Sequence, residues 1–119
     1  MEKINIQNKL GLFSDFWNPK IIGELNKQHV KLVKLKGEFI WHKHDNEDEL
    51  FLVIKGSLKI EFRAKTVELS ENEMFIIPRG VEHKPIAEKE VAVLLFEPKD
   101  TLNTGNQRAK LTQDKLDWI

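Results

Sequence analysis

The sequence predicts an all-β sandwich or barrel. Two observations carry that prediction. From His29 to Phe96 the chain divides into short apolar or alternating runs rich in branched and aromatic residues. Turn-forming residues separate these runs at close, even spacing.

The elements follow in chain order. Up to about Asn26 the apolar residues are irregularly spaced: Ile4, Ile6, Leu10, Phe13, Phe16, Trp17, Ile21 and Ile22. A short helix, a turn at Asn18-Pro19 and a short strand are expected there. Strands are then expected at Val30–Leu35, Phe39–Trp41, Leu50–Ile54, Leu58–Phe62, Thr66–Leu69, Met74–Ile77 and Val91–Phe96. Leu58, Ile60 and Phe62 alternate with Lys59 and Glu61, the mark of a half-buried strand. Turns are expected at Lys36-Gly37, Lys55–Ser57, Arg63–Lys65, Ser70–Asn72, Pro78–Gly80 and Glu88–Glu90. Thr101–Gln107 is polar and reads as loop. Thr112 suits an N-cap for a last helical turn or two, and Leu116, Trp118 and Ile119 should dock that tail on the barrel or on a second subunit. The expected division is an N-terminal extension at 1–27, a barrel at 28–98, and a loop and tail at 99–119.

Composition narrows the function. A chain of 119 residues, 40% hydrophobic and 32% charged, is one globular domain able to bury a core. Formal net charge is zero, so no field of one sign attracts nucleic acid or anionic lipid, and neither is an expected partner. The chain has no cysteine, which removes disulfides, thiolate metal sites and thiol nucleophiles and fits a reducing compartment. Its apolar runs are short of a membrane span. Met1–Leu12 mixes Glu2, Lys3, Asn5 and Lys9 among its apolar residues, unlike a signal peptide. A cytoplasmic location is therefore expected. There is no tyrosine, so no mechanism can use a tyrosyl acid.

Four histidines occur: His29, His42, His44 and His83. On an extended segment His42 and His44 share a face, as two imidazoles reaching one ion must. Glu49 follows a polar stretch, Asp45–Asp48, and heads the apolar run Leu50–Ile54. A carboxylate there is costly if it faces the core alone, and a metal ion removes that cost. His83 follows Pro78-Arg79-Gly80-Val81-Glu82, a stiff turn suited to presenting one ligand. His29 has no partner at a recognisable spacing and is set aside. Asp45–Asp48 reads as a solvated loop and supplies no ligand.

The joint arrangement resembles the two motifs of the cupin family. The first, in family form G-x5-H-x-H-x3-4-E-x6-G, is met by His42, His44, Glu49 and Gly56, with Gly37 one residue closer than the opening glycine. The second, G-x5-P-x-G-x2-H-x3-N, is met by Pro78, Gly80 and His83, with Asn72 at the opening glycine and Ala87 at the closing asparagine. Asn72 can adopt the left-handed conformation a glycine would take there. The resemblance covers residues 28–106 and includes the short inter-motif stretch Ser57–Glu71 of compact single-domain cupins. It implies a double-stranded β-helix, a jelly-roll barrel of two antiparallel sheets. It also implies metal ligation by His42, His44, Glu49 and His83. Small cupins commonly pair as homodimers, and the N-terminal strand and the Trp118 tail are candidate contacts.

Three imidazoles and one carboxylate suit one divalent transition metal: Fe, Mn, Ni, Co, Cu or Zn. Two open positions on an octahedral ion accept a small bidentate oxygen ligand, or a substrate plus O2. Glu49 is also the candidate catalytic base. Strand parity puts Ile40, Phe51, Val53, Val81 and Pro85 in the substrate pocket, with Arg79 at its rim. The preferred expectation is a metal-dependent enzyme, a dioxygenase first and an isomerase or lyase otherwise, acting on a small oxygenated substrate. The alternative is a non-catalytic, metal-bearing protein that binds or senses a small molecule.

Overall fold

Val91, Val93 and Leu95 alternate with Ala92, Leu94 and Phe96, and this regular phase runs through the longest strand of the protein. A computed structural model describes all 119 residues. It contains α1 (Ile6–Leu10), β1 (Lys20–Leu25), β2 (Gln28–Glu38), β3 (Glu49–Lys55), β4 (Leu58–Phe62), β5 (Thr66–Leu69), β6 (Met74–Ile77) and β7 (His83–Pro98). The strand order is β1-β2-β7-β3-β6, with β4 pairing β5 and β7. All named pairings are antiparallel.

β7 belongs to both halves of the barrel. Its first part pairs with β4, from Phe62↔His83 to Lys59↔Ile86. Its last part lies between β2 and β3, with Val93 opposite Val33 and Val53. The two parts wrap the sheet around one core, giving the double-stranded β-helix. Glu88–Glu90, expected as a turn, are part of this strand. Between Leu35↔Val91 and Gly37↔Ala87, β7 carries more residues than β2. The three exposed charged residues occupy that bulge, where the strand bends from one half to the other.

Inward-facing residues of both halves, including Val33, Leu35, Phe51, Val53, Ile60, Ile77, Val93 and Leu95, form the main core. A second cluster, Leu10, Ile22, Leu32 and Ala92, lies on the other side of the sheet. There α1 packs, its N-terminus capped by Asn5 accepting from the Asn8 amide at 2.9 Å.

Two further expectations give way. Phe39–Trp41 form no strand: the Phe39 amide donates to Pro85 O at 3.0 Å, and regular pairing stops there. The tail after Thr112 is not helical. It runs beside the edge strand β1, where the Ile21 amide donates to Asp117 O and the Ile119 amide to Ile21 O. Satisfying that open strand edge outweighs a marginal final helical turn. Trp118 thereby docks on its own barrel, next to His29 at 5.5 Å between ring centroids.

Candidate functional site

The first histidine pair lies on the irregular segment between β2 and β3. Backbone hydrogen bonds pin His42 to the start of β7: its amide donates to His83 O at 3.1 Å, and the His83 amide donates to His42 O at 2.9 Å. The Pro78–Gly80 turn is tied back in the same way. The Gly80 amide donates to His44 O and the Arg79 amide to Asp48 Oδ1, both at 2.8 Å. Glu49, first residue of β3, is set by its pairing with Ile77.

These elements bring His42, His44, Glu49 and His83 together. One ligand-type atom from each lies within 4.8 Å of the others, and all four residues are buried. His42 Nδ1 is 2.9 Å from Ile40 O, and His83 Nδ1 is 2.9 Å from Val81 O. A carbonyl at Nδ1 fixes the proton there and leaves Nε2 with its lone pair free for a metal. His44 and His83 Nε2 each lie 3.4 Å from Glu49 Oε1. None of these three atoms has a hydrogen-bond partner, and each is buried. An orphaned buried polar atom costs about 1–3 kcal/mol, so three facing one another need a common partner. A divalent cation meets that need. The donor set of three imidazoles and one carboxylate fits a transition metal.

The electrostatics favour a neutral His42 beside an ionised Glu49 carboxylate. Burial, and then the neighbouring His83, push His42 down to about 4. Burial would raise the Glu49 carboxyl, but contact with His44 and His83 overcomes it and holds the group well below the usual carboxylate range. His44 shifts the other way: burial would lower it, but its contact with Glu49 wins.

A cavity adjoins the cluster. His42 and Glu49 form part of its wall, with Phe51 and Pro85 among the apolar side chains. Of the other residues expected at the pocket, Ile40 is half-buried against the core and Val53 is inside it. Val81 is exposed, and Arg79 faces solvent with its guanidinium 3.5 Å from Asp48. His29 stands apart from the cluster and pairs with Glu24 at 3.0 Å.

Several wall residues escaped the sequence reading. Trp17 stacks on Phe39 at 4.7 Å between centroids, and its indole N–H donates to Lys36 O. Asn103 and Glu97 supply polar groups. Glu97 continues the inward phase of Val93 and Leu95, and its partner Lys31 continues that of Val33 and Leu35. That parity was the available signal. Burial, and then the Glu49 charge, push the Glu97 carboxyl well above the ordinary range, against the pull of Lys31. A cation held on Glu49 would offset the second cause.

Residues 29–97 match the family described as Cupin domain. A cupin-2 domain containing protein from Shewanella frigidimarina NCIMB 400 superposes with a TM-score of 0.80 at 46% identity, covering 81% of this chain and 94% of that one. NMB1881 from Neisseria meningitidis superposes at 0.76 and 29% identity, covering 82% and 100%. Among curated proteins, YdbB of Bacillus subtilis (strain 168) is 42% identical over 64 residues, 53% of this chain and 57% of its own length. A 3-hydroxyanthranilate 3,4-dioxygenase 2 of Aspergillus fumigatus is 26% identical over 101 residues, 80% of this chain and 48% of its own length. The chain thus spans about half the length of the curated relatives it matches.

Proposed function

This chain belongs to the cupin domain family, and on that premise we propose that it is a metal-dependent enzyme acting on a small oxygenated substrate, by preference a dioxygenase. The observation that carries the reading is the set of four buried ligand-type atoms beside a cavity. Partial likeness to a 3-hydroxyanthranilate 3,4-dioxygenase supports the choice of reaction over isomerase or lyase chemistry. His42, His44, Glu49 and His83 would hold one divalent ion. When bound, that ion supplies Lewis-acid or redox chemistry to an oxygen ligand.

The chain's own groups do the rest. The carbonyls of Ile40 and Val81 orient two of the imidazoles. Phe51, Pro85 and the Trp17–Phe39 stack present an apolar wall that excludes water. Glu49 is ionised at neutral pH and can take up a substrate proton, although its low pKa makes it a weak base.

Oxygen uptake by Fe(II)-loaded protein tests this directly, with catechol, 2-aminophenol and acetylacetone as the panel. Substrate-dependent uptake that disappears in His83→Ala is the expected result. Tight binding of a panel member with no turnover in any metal form favours the alternative of a metal-bearing binding or sensing protein.

The reading includes a homodimer. Leu50 and Leu52 on β3 pair with Ile76 and Met74 on β6 and with Phe96 and Leu94 on β7. These outward side chains form a continuous apolar face, with Met74 and Ile76 more than half exposed. Light scattering should give twice the chain mass, and Ile76→Lys should return the monomer.

A further inference from the structure

The barrel interior holds two ionisable side chains that the proposed reaction does not use. Lys31 on β2 and Glu97 on β7 meet at 2.8 Å between Nζ and Oε1, and each side chain is 2% exposed. A buried ion pair is a weak device for stability, because desolvation offsets the attraction. Its position suggests another purpose. Glu97 lines the same cavity as His42 and Glu49. Its Oε1 is committed to Lys31, while its Oε2 is buried without a partner.

The other polar side chains of the cavity wall are already spent. Asn103 Nδ2 donates to Leu111 O at 2.9 Å, and its Oδ1 accepts from the Gln113 amide at 2.9 Å. The Trp17 indole N–H is spent on Lys36 O. Outside the four candidate ligands, Glu97 Oε2 is therefore the polar side-chain atom of the wall without a hydrogen-bond partner, and it lies beside the Glu49 carboxylate, whose charge a bound cation would neutralise. A buried acceptor of this kind is satisfied when a ligand brings its own donor.

We propose that Glu97, held by Lys31, is a specificity-determining residue that accepts a hydrogen bond from an N–H or O–H group of a small ligand chelated through two oxygens at the His42–His44–Glu49–His83 site. The inference rests on the metal site proposed above. The ligand class is an oxygen chelator with a donor beside its chelating atoms. Because Lys31 neutralises Glu97, the ligand's donor group need carry no positive charge.

Acetohydroxamate and N-methylacetohydroxamate test it. Both chelate through two oxygens, and only the first keeps an N–H. Elemental analysis of Co(II)-loaded parent and of Lys31→Met/Glu97→Met comes first, and dissociation constants are then read from the visible cobalt spectrum. Free Co(II) in buffer supplies the intrinsic preference, which is divided out. The parent should favour acetohydroxamate about tenfold, the scale of one hydrogen bond to a charged group. The double variant should bind cobalt and show no preference. Should it fail to fold, Glu97→Gln carries the test: it keeps the side-chain shape against the extra methyl, and its neutral acceptor should lower the preference to about threefold. With cobalt bound, a parent without preference, or a variant that keeps the full tenfold, overturns the role of Glu97 and leaves the metal site standing. A parent that takes up no cobalt, or whose spectrum neither hydroxamate changes, overturns the metal site and this inference with it.

Discussion

His42 and His83, separated by 41 positions in the chain (83 − 42), exchange a pair of backbone hydrogen bonds at 2.9 and 3.1 Å. Each also directs its Nδ1 to the carbonyl two residues before it. The same local device is used twice, and the pairing sets both rings against each other at 4.3 Å between centroids. Backbone register, rather than side-chain packing alone, therefore fixes half of the candidate ligand set.

That half is clamped from outside by the segment after β7. The Asn106 amide donates to Lys43 O, and Asn106 Oδ1 accepts from the Lys43 amide. Gly105 has φ +57 and lies so close that an added Cβ would meet the Lys43 backbone. Gly105→Ala must shift that backbone or strain its own, at a cost on the order of 1–3 kcal/mol. Thermal unfolding should show the loss. Metal affinity should fall as well, because His42 and His44 flank Lys43.

The four-residue cluster was legible because its spacing resembles the two motifs of the cupin family, which imply this ligand set. An H-x-H pair shares a face, and a rigid Pro-Gly turn delivers His83. Asn72 also behaves as expected at a glycine position, with φ 68. Lys31 and Glu97 were harder to read. A charged residue within a strand looks solvated until its pairing partner is known, and these two meet at 2.8 Å with each side chain 2% exposed. The Glu88–Glu90 bulge was hidden for a related reason: local composition signals a break, while pairing with two different strands keeps the backbone extended.

The Lys31–Glu97 pair should respond to mutation asymmetrically. Lys31→Met leaves the Glu97 carboxyl buried without its cation and should cost up to about 3–5 kcal/mol at high pH, where the carboxyl is ionised, and less at low pH, where it takes up a proton. Lys31→Met/Glu97→Met removes both charges at similar volume and should recover most of that loss. Denaturant unfolding of the parent, both single variants and the double variant measures the coupling. A double variant as unstable as Lys31→Met would contradict the pairing.

Metal affinity should rise with pH. In the metal-free protein His44 titrates above its ordinary value of 6.5 because of Glu49, while His42 stays neutral down to about 4. A metal ion must displace the His44 proton, so binding releases protons and strengthens as pH climbs through the raised His44 value. It levels off above that window. Titration calorimetry in buffers of different ionisation heat should find protons released on metal binding near the ordinary histidine range, and fewer as pH climbs past the raised His44 value. An affinity flat across this range would remove His44 from the ligand set.

Elemental analysis of freshly purified parent protein beside His83→Ala is the most direct measurement. One equivalent of a divalent transition metal in the parent, and little in the variant, is the predicted result. A parent without metal, or equal content in the two proteins, would contradict the claim that these buried side chains form a metal centre.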